Sequence, residues 1–67
     1  MLTKTQAKIL AFVRRYAKQN GYPPTRSEIA HEMGYRSANA AQEALQAIEQ
    51  KGYIELRQGV SRGIRLL

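Results

Sequence analysis

The sequence predicts a mainly α-helical domain that ends in a small β-hairpin. Three observations carry this prediction. Apolar residues recur with helical spacing in three stretches, a Thr-x-x-Gln or Thr-x-x-Glu capping box precedes two of those stretches, and the apolar spacing changes to two after Gly52. A chain of 67 residues has room for one domain only. We therefore expect residues 1–67 to form a single domain.

The first helix is predicted to begin at Thr3 and to end near Gly21. Thr3 and Gln6 have capping-box spacing, in which each side chain bonds the other residue's backbone amide. Asn20-Gly21 supplies a left-handed exit, and Pro23 and Pro24 cannot continue a helix. The apolar face of this helix consists of Ile9, Leu10, Val13, Tyr16 and Ala17.

Two shorter helices follow. A second capping box, Thr25 with Glu28, starts the next helix, which ends at Gly34 and has an apolar face of Ile29, Ala30 and Met33. Ser37 is a suitable N-cap for the third helix, which we expect to run to about Lys51, with Gly52 as its left-handed C′ residue. The apolar stripe of the third helix is Ala41, Ala44, Leu45 and Ile48.

The end of the chain predicts a two-stranded antiparallel ribbon. Residues 53–57 and 63–67 alternate apolar and polar side chains, and Gln58-Gly59 favours a turn between them. Two helices joined by a four-residue turn containing glycine are typical of a helix-turn-helix, here over about 26–46, and a ribbon after it suggests a wing over about 53–67. A plain αα-hairpin in a small bundle is the alternative.

The charge balance indicates a polyanionic partner. Eleven lysines and arginines against five glutamates give a net charge of +6, a balance shared by DNA-binding modules, ribosomal proteins and membrane-surface peptides. Without cysteine or aspartate the chain has no plausible metal cluster, so no metal or cofactor is expected, and the absence of cysteine favours an intracellular protein. No run is apolar enough for a membrane span. Ser27 and His31 lie one turn apart but lack an aspartate to orient the histidine, so no enzyme activity is expected.

The solvent face of the third helix carries the functional prediction. Asn39, Gln42, Glu43, Gln46 and Gln50 form one line opposite the apolar stripe, here called the polar row. Asparagine and glutamine can pair with adenine in the major groove, and glutamate can accept from cytosine N4. An ordinary solvated helix face is the alternative, since glutamine is a good helix former.

Residues flanking the polar row are candidates for the DNA backbone. Arg36 and Ser37 precede the third helix, where a cation and free amides suit a phosphate. Arg62 lies at the tip of the ribbon, where it suits a phosphate or the minor groove, the alternative being a solvated loop charge. Alanines 38, 40 and 41 would let the start of the helix approach the duplex closely, although alanine is also simply the best helix former.

Four segments in register closely resemble the DNA-binding domain of the LexA repressor family. They are Pro23-Pro24-Thr25-Arg26-x-Glu28-Ile29-Ala30, Arg36-Ser37-x-Asn39-Ala40-Ala41-x-x-x-Leu45, Lys51-Gly52-x-Ile54-Glu55 and Ser61-Arg62-Gly63-Ile64-Arg65-Leu66. The resemblance covers almost the whole chain. It implies a winged helix-turn-helix that binds double-stranded DNA at palindromic operators, one half-site per domain, and represses genes of the DNA-damage (SOS) response.

The resemblance also implies which residues contact DNA. Base readout is expected from Ser37, Asn39, Ala40 and Glu43, to which the polar row adds Gln42 and Gln46. Gln42 departs from the family, where many enterobacterial-type members have an acid, and this puts their CTG-type half-site in question for this chain. Contacts to the backbone or minor groove are expected from Arg26, Arg36, Lys51, Ser61 and Arg62.

The family's second domain is expected to be absent from this chain. LexA-like proteins carry a C-terminal Ser–Lys self-cleaving peptidase domain that mediates dimerisation and responds to RecA filaments, and its catalytic residues have no counterpart here. We therefore expect a monomer alone, a dimer on DNA or through the missing domain, contact with RecA only through that domain, and a cytoplasmic, nucleoid-associated location in a bacterium or phage. A protein-interaction or RNA-binding winged helix and a non-specific basic DNA binder are the alternative functions.

Overall fold

The computed structural model describes residues 1–67 as three helices followed by a two-stranded sheet. The helices are α1 (Lys4–Asn20), α2 (Arg26–Met33) and α3 (Ala38–Gln50). The strands are β1 (Ile54–Leu56) and β2 (Ile64–Leu66), paired antiparallel. The predicted fold class, mainly helical with a C-terminal hairpin, is confirmed. No helix in the chain is both long enough and apolar enough to cross a membrane.

Both predicted capping boxes form. Thr3 accepts from the Gln6 amide at 3.1 Å, and the Gln6 side chain accepts from the Thr3 amide at 3.0 Å. In the second box, the Thr25 hydroxyl accepts from the Glu28 amide at 3.1 Å and the Glu28 carboxylate accepts from the Thr25 amide at 2.8 Å. Each box satisfies amides that a helix start leaves without partners. They fix the first turns of α1 and α2.

The start of α3 differs from the other two. Ser37 is the N-cap residue, as predicted, but its side chain makes no capping hydrogen bond. The Ser37 hydroxyl and the first amides of α3 therefore remain available to an external group. At the other end, Lys51 is the C-cap residue, and Gly52 takes the predicted left-handed conformation with φ +89°.

A core of apolar side chains joins all the elements. Val13 of α1, Ile29 of α2 and Leu45 of α3 are fully buried in it. The core residues are Ile9, Leu10, Val13, Ile29, Ala30, Ala41, Leu45, Ile48, Ile54 and Ile64. Since α3 packs on α1, α2 and β1, its position is set from three sides.

The hairpin has shorter strands than the alternation predicts. Ile54 pairs with Leu66 and Leu56 with Ile64, so each strand has three residues. Tyr53 is not part of β1 because its amide still bonds the Ile48 carbonyl at the end of α3, at 3.4 Å. The connection, here called the wing loop, comprises residues 57–63 and is longer than the predicted Gln58-Gly59 turn.

Candidate nucleic-acid interface

The polar row lies on the outer face of α3. Asn39, Glu43 and Gln46 are exposed, as is Gln50, whereas Gln42 is half-buried. The opposite face carries the buried residues Ala41, Leu45 and Ile48. The predicted separation of a polar and an apolar face on this helix is confirmed, and the outer face presents hydrogen-bonding groups over several turns.

Glu43 is electrostatically distinct from the other glutamates. Three of them pair with arginines, and Glu49 accepts from the Leu56 amide at 2.8 Å. Only Glu43 has no hydrogen bond or ion pair within the chain. An exposed carboxylate that faces outward is free to accept from an external donor, such as an amino group on a base edge.

The residues before and at the start of α3 are divided between solvent and core. Arg36 and Ser37 are exposed, and neither side chain has a partner in the chain. Ala38 and Ala40 are half-buried. Ala41 is fully buried in the core, so of the three alanines considered for close approach to a duplex it alone faces inward.

Arg26, the first residue of α2, links α3 to the wing loop. Its Nε donates to Gln42 Oε1 at 2.5 Å, and its Nη1 donates to the carbonyls of Val60 at 3.3 Å and Ser61 at 3.5 Å. Ser61 itself is exposed. Arg26, Gln42 and Ser61, which sequence reasoning assigned to separate contacts, therefore lie together.

Arg62 does not project from the wing as its place in the loop suggested. Its guanidinium turns inward and pairs with Glu28, with Nη1 2.8 Å from Oε1 and Nη2 3.2 Å from Oε2. The hydrogen bond from Arg62, followed by that from the Thr25 amide, lowers the pKa of Glu28 to about 2. The same pairing raises the pKa of Arg62 above its ordinary value. The inward turn has a physical reason, because a carboxylate fixed by the capping box offers a two-pronged acceptor.

Lys51 lies apart from the other predicted site residues. Its Nζ donates to the Met1 carbonyl at 2.9 Å and to Gln6 Oε1 at 2.7 Å, next to the start of α1. As the C-cap of α3, Lys51 is separated from Ser37 by the length of a 13-residue helix, about 20 Å. The structure does not bring it together with the N-terminal half of the polar row.

Two residues near this surface were missed by sequence reasoning. Arg57 is exposed and lines a cleft between α3 and the wing together with Gln46 and Gln58. The one feature of the sequence that could have indicated Arg57 is its position at the end of a predicted strand, next to a turn. The alternation of apolar and polar residues did not distinguish it from the other polar residues of the strand. Glu28 was recognised only as part of a helix cap. Its ion pair with Arg62 could not be recognised because the two residues are 34 positions apart in the sequence.

Comparison with known proteins gives consistent matches. The family model described as the LexA DNA binding domain matches residues 1–63. Over 65 residues the chain is 58% identical to the LexA repressor of Pseudomonas chlororaphis and 58% identical to that of Marinobacter nauticus. It is 57% identical to LexA repressor 1 of Pseudomonas putida. Each match covers 97% of this chain and 32% of the relative, so the chain spans about a third of the length of these relatives.

Proposed function

Because the chain belongs to the LexA DNA-binding domain family, we propose that it binds double-stranded DNA sequence-specifically, as the operator-reading module of a LexA-type repressor of DNA-damage genes. The observation that carries this proposal is the exposed polar row on α3. The row follows a helix start whose amides and N-cap hydroxyl have no side-chain partner in the chain.

In this proposal α3 enters the major groove. Asn39, Gln46 and the free amino group of Gln42 supply donors and acceptors for base edges, and the unpaired Glu43 carboxylate accepts from cytosine N4. Ala40 and Ser37 lie next to them at the start of the helix. A face of amides with one unpaired acid suits base edges better than phosphates, because phosphates call for cations.

Backbone contacts come from both sides of α3. Arg36 and the first amides of α3 suit one phosphate, and Arg57 with Ser61 in the wing suits another. Arg26 lies close enough to contribute while it holds Gln42. Arg26 bonds only neutral acceptors, so its charge stays uncompensated. Arg62 is left out of this contact set because its charge is paired with the Glu28 carboxylate, and Lys51 because it lies at the far end of α3, beside the start of α1.

The rest of the family's activity extends beyond these 67 residues. We propose that the operator is palindromic, with one domain per half-site, and that dimerisation, self-cleavage and the response to RecA depend on a further domain. Linking two domains raises the effective concentration of the second one at its half-site. A single domain is therefore expected to bind one half-site weakly.

The test is a fluorescence-anisotropy titration at two salt concentrations. The chain is titrated against a palindromic duplex with LexA-type half-sites and against a scrambled duplex of equal composition. Asn39→Ala is compared with Gln19→Ala, which makes a similar truncation at an exposed position of α1. We expect a preference above tenfold for the palindromic duplex that persists at the higher salt. Asn39→Ala should reduce that preference by about 1–3 kcal/mol, and Gln19→Ala should leave it unchanged.

The alternative functions predict other results. A non-specific basic binder would have equal affinity for both duplexes and lose it steeply with salt. A protein-interaction or RNA-binding module would show no effect of Asn39→Ala on duplex affinity. If the palindrome gives no preference, selection from random duplexes with two domains fused in tandem would show whether the half-site differs or the proposal is wrong.

A further inference from the structure

The wing loop is fastened to the first turn of α2 by an ion pair. Arg62 donates from Nη1 to Glu28 Oε1 at 2.8 Å and from Nη2 to Glu28 Oε2 at 3.2 Å. This two-pronged geometry matches the fork of a guanidinium to the two oxygens of a carboxylate. Because 34 residues separate the partners, the bond joins two elements that the chain connects only through α3 and β1.

Arg62 Nη1 has a second strong acceptor, and the guanidinium lies over two aromatic rings. Nη1 donates to the Pro23 carbonyl at 2.9 Å, so both of its hydrogens have acceptors within 3 Å. The guanidinium carbon lies 4.6 Å from the ring centroid of Tyr22 and 5.8 Å from that of Tyr16. Such cation–π contacts add to the ion pair. A phosphate would have to displace several of these partners to reach Nη1.

Glu28 is held in place independently of the wing. Its Oε1 accepts from the Thr25 amide at 2.8 Å, and its Oε2 accepts from the Tyr16 hydroxyl at 3.0 Å. The carboxylate is therefore oriented by α1 and by the start of α2. It is a fixed acceptor to which the wing loop attaches.

A second arginine fastens the same loop from the side of α3. Arg26 donates from Nη1 to the carbonyls of Val60 and Ser61, while its Nε holds Gln42. Arg26 and Glu28 are the first and third residues of α2. The wing loop is thus attached at two points to one helical turn.

We infer that Arg62 is a positioning residue, which fixes the wing loop to the first turn of α2 and so sets the wing against α3, and that it is not a contact to DNA. The consequence for DNA affinity rests on the proposed function. The attachment itself concerns the free domain and can be measured without DNA.

Glu28→Gln distinguishes a role of Arg62 in positioning the wing loop from a role in contacting DNA. Glutamine also serves at this position of a capping box, so the start of α2 is retained while the ion pair is lost. The matched control is Glu32→Gln, which removes the same charge from the same helix, where Glu32 faces Arg15 across 3.9 Å and does not touch the wing. The two variants have equal net charge, so general attraction to DNA rises equally in both.

The first readout is amide hydrogen exchange in the free domain. We expect exchange at Arg57 and Gly63, whose amides bond within the loop, to become about three- to fivefold faster in Glu28→Gln, as for loss of a partly exposed ion pair, and to stay unchanged in Glu32→Gln. Unchanged exchange in both variants would overturn the inference, whether or not the chain binds DNA.

The second readout is affinity for a duplex selected from random sequences. If Arg62 positions the wing, Glu28→Gln binds about three- to fivefold more weakly than Glu32→Gln. If Arg62 instead contacts phosphate, removal of its partner frees it, and Glu28→Gln binds as tightly as Glu32→Gln or more tightly, which overturns the inference. Lack of any preferred duplex for the unmodified chain would count against the proposed function alone.

Arg62→Lys provides a second variant in case Glu28→Gln does not fold. Lysine keeps the charge and can still reach a phosphate, but it cannot form the two-pronged bond. We expect faster exchange in the wing loop and weaker duplex binding. Exchange and affinity equal to those of the unmodified chain would overturn the positioning role.

Discussion

Arg26 donates from Nε to Gln42 Oε1 at 2.5 Å, so the first residue of α2 holds the amide of a residue in the second turn of α3. A guanidinium has donors only, and this identifies the oxygen as the atom of the Gln42 amide that faces it. The amino group of Gln42 therefore points away from Arg26. The direction in which Gln42 presents its amino group is therefore set by a neighbour on another helix.

Gln42→Glu should change base preference at one half-site position by about 1–3 kcal/mol, because glutamate replaces an amino donor by an acceptor. The fold should tolerate the change, since Arg26 gains a charged partner in place of a neutral one. Selection from random duplexes measures the preference. Gln19→Glu on α1 is the control for charge alone. Identical selected sequences for the unmodified chain and Gln42→Glu would contradict this prediction.

Arg36→Gln should make the salt dependence of binding shallower. An exposed cation without a partner in the chain, next to the start of α3, is expected to neutralise one phosphate. Its loss should reduce the slope of log K against log salt by about 0.9. Titrations at four or more salt concentrations give the slope. Lys18→Gln in the last turn of α1 removes the same charge elsewhere and should change the slope less.

Gly63→Ala should destabilise the domain through the wing. A Cβ at Gly63 would lie 2.7 Å from the Arg57 carbonyl oxygen, closer than real Cβ contacts, and 3.0 Å from the Val60 carbonyl oxygen, tighter than most of them. We expect a loss of about 1–3 kcal/mol in the free energy of unfolding, measured by urea denaturation. Ser61→Ala, two residues earlier and exposed, should change it by less than about 0.5 kcal/mol. Equal stability of the two variants would refute the steric argument.

Acid should weaken the fold through Glu28. Its pKa falls from 4.5 to about 2 in the folded domain, first because Arg62 donates to it and then because the Thr25 amide does. A carboxylate whose pKa is lower in the folded than in the unfolded chain stabilises the fold, and this stabilisation is fully present when the pH is above the unfolded-state pKa. It is lost as the pH falls from about 4.5 towards 2. Thermal unfolding between pH 6 and pH 2 measures it. Glu28→Gln should flatten this dependence, and Glu43→Gln, which removes a glutamate without a partner, should not.

Local features of the fold could be predicted from the sequence because they depend on neighbouring residues. The capping boxes at Thr3 and Thr25 and the left-handed glycines Gly21 and Gly52 each follow from a few adjacent positions. Ser37 shows the limit of this reasoning. Its position as N-cap was correct, but whether its hydroxyl bonds the helix depends on a side-chain orientation that the sequence does not specify.

Long-range contacts could not be predicted in the same way. The sequence predicted a DNA contact or a solvated loop charge for Arg62, and only the folded chain places Glu28 and the Tyr22 ring within reach of its side chain. The bond between Arg26 and Gln42 likewise joins residues 16 positions apart. The contacts of these residues with DNA remain predictions.

Backbone hydrogen bonds hold the two ends of the wing loop together. The Arg57 amide bonds the Gly63 carbonyl at 2.8 Å, and the Gly63 amide bonds the Val60 carbonyl at 3.0 Å. Arg26 donates to the carbonyls of Val60 and Ser61. None of these bonds uses a side chain from residues 58–61. With Gly59 kept for its left-handed φ of +75°, the side chains at positions 58, 60 and 61 can accordingly vary without loss of these bonds. The chemistry at the tip of the wing can therefore diversify while α3 and its surroundings stay constant.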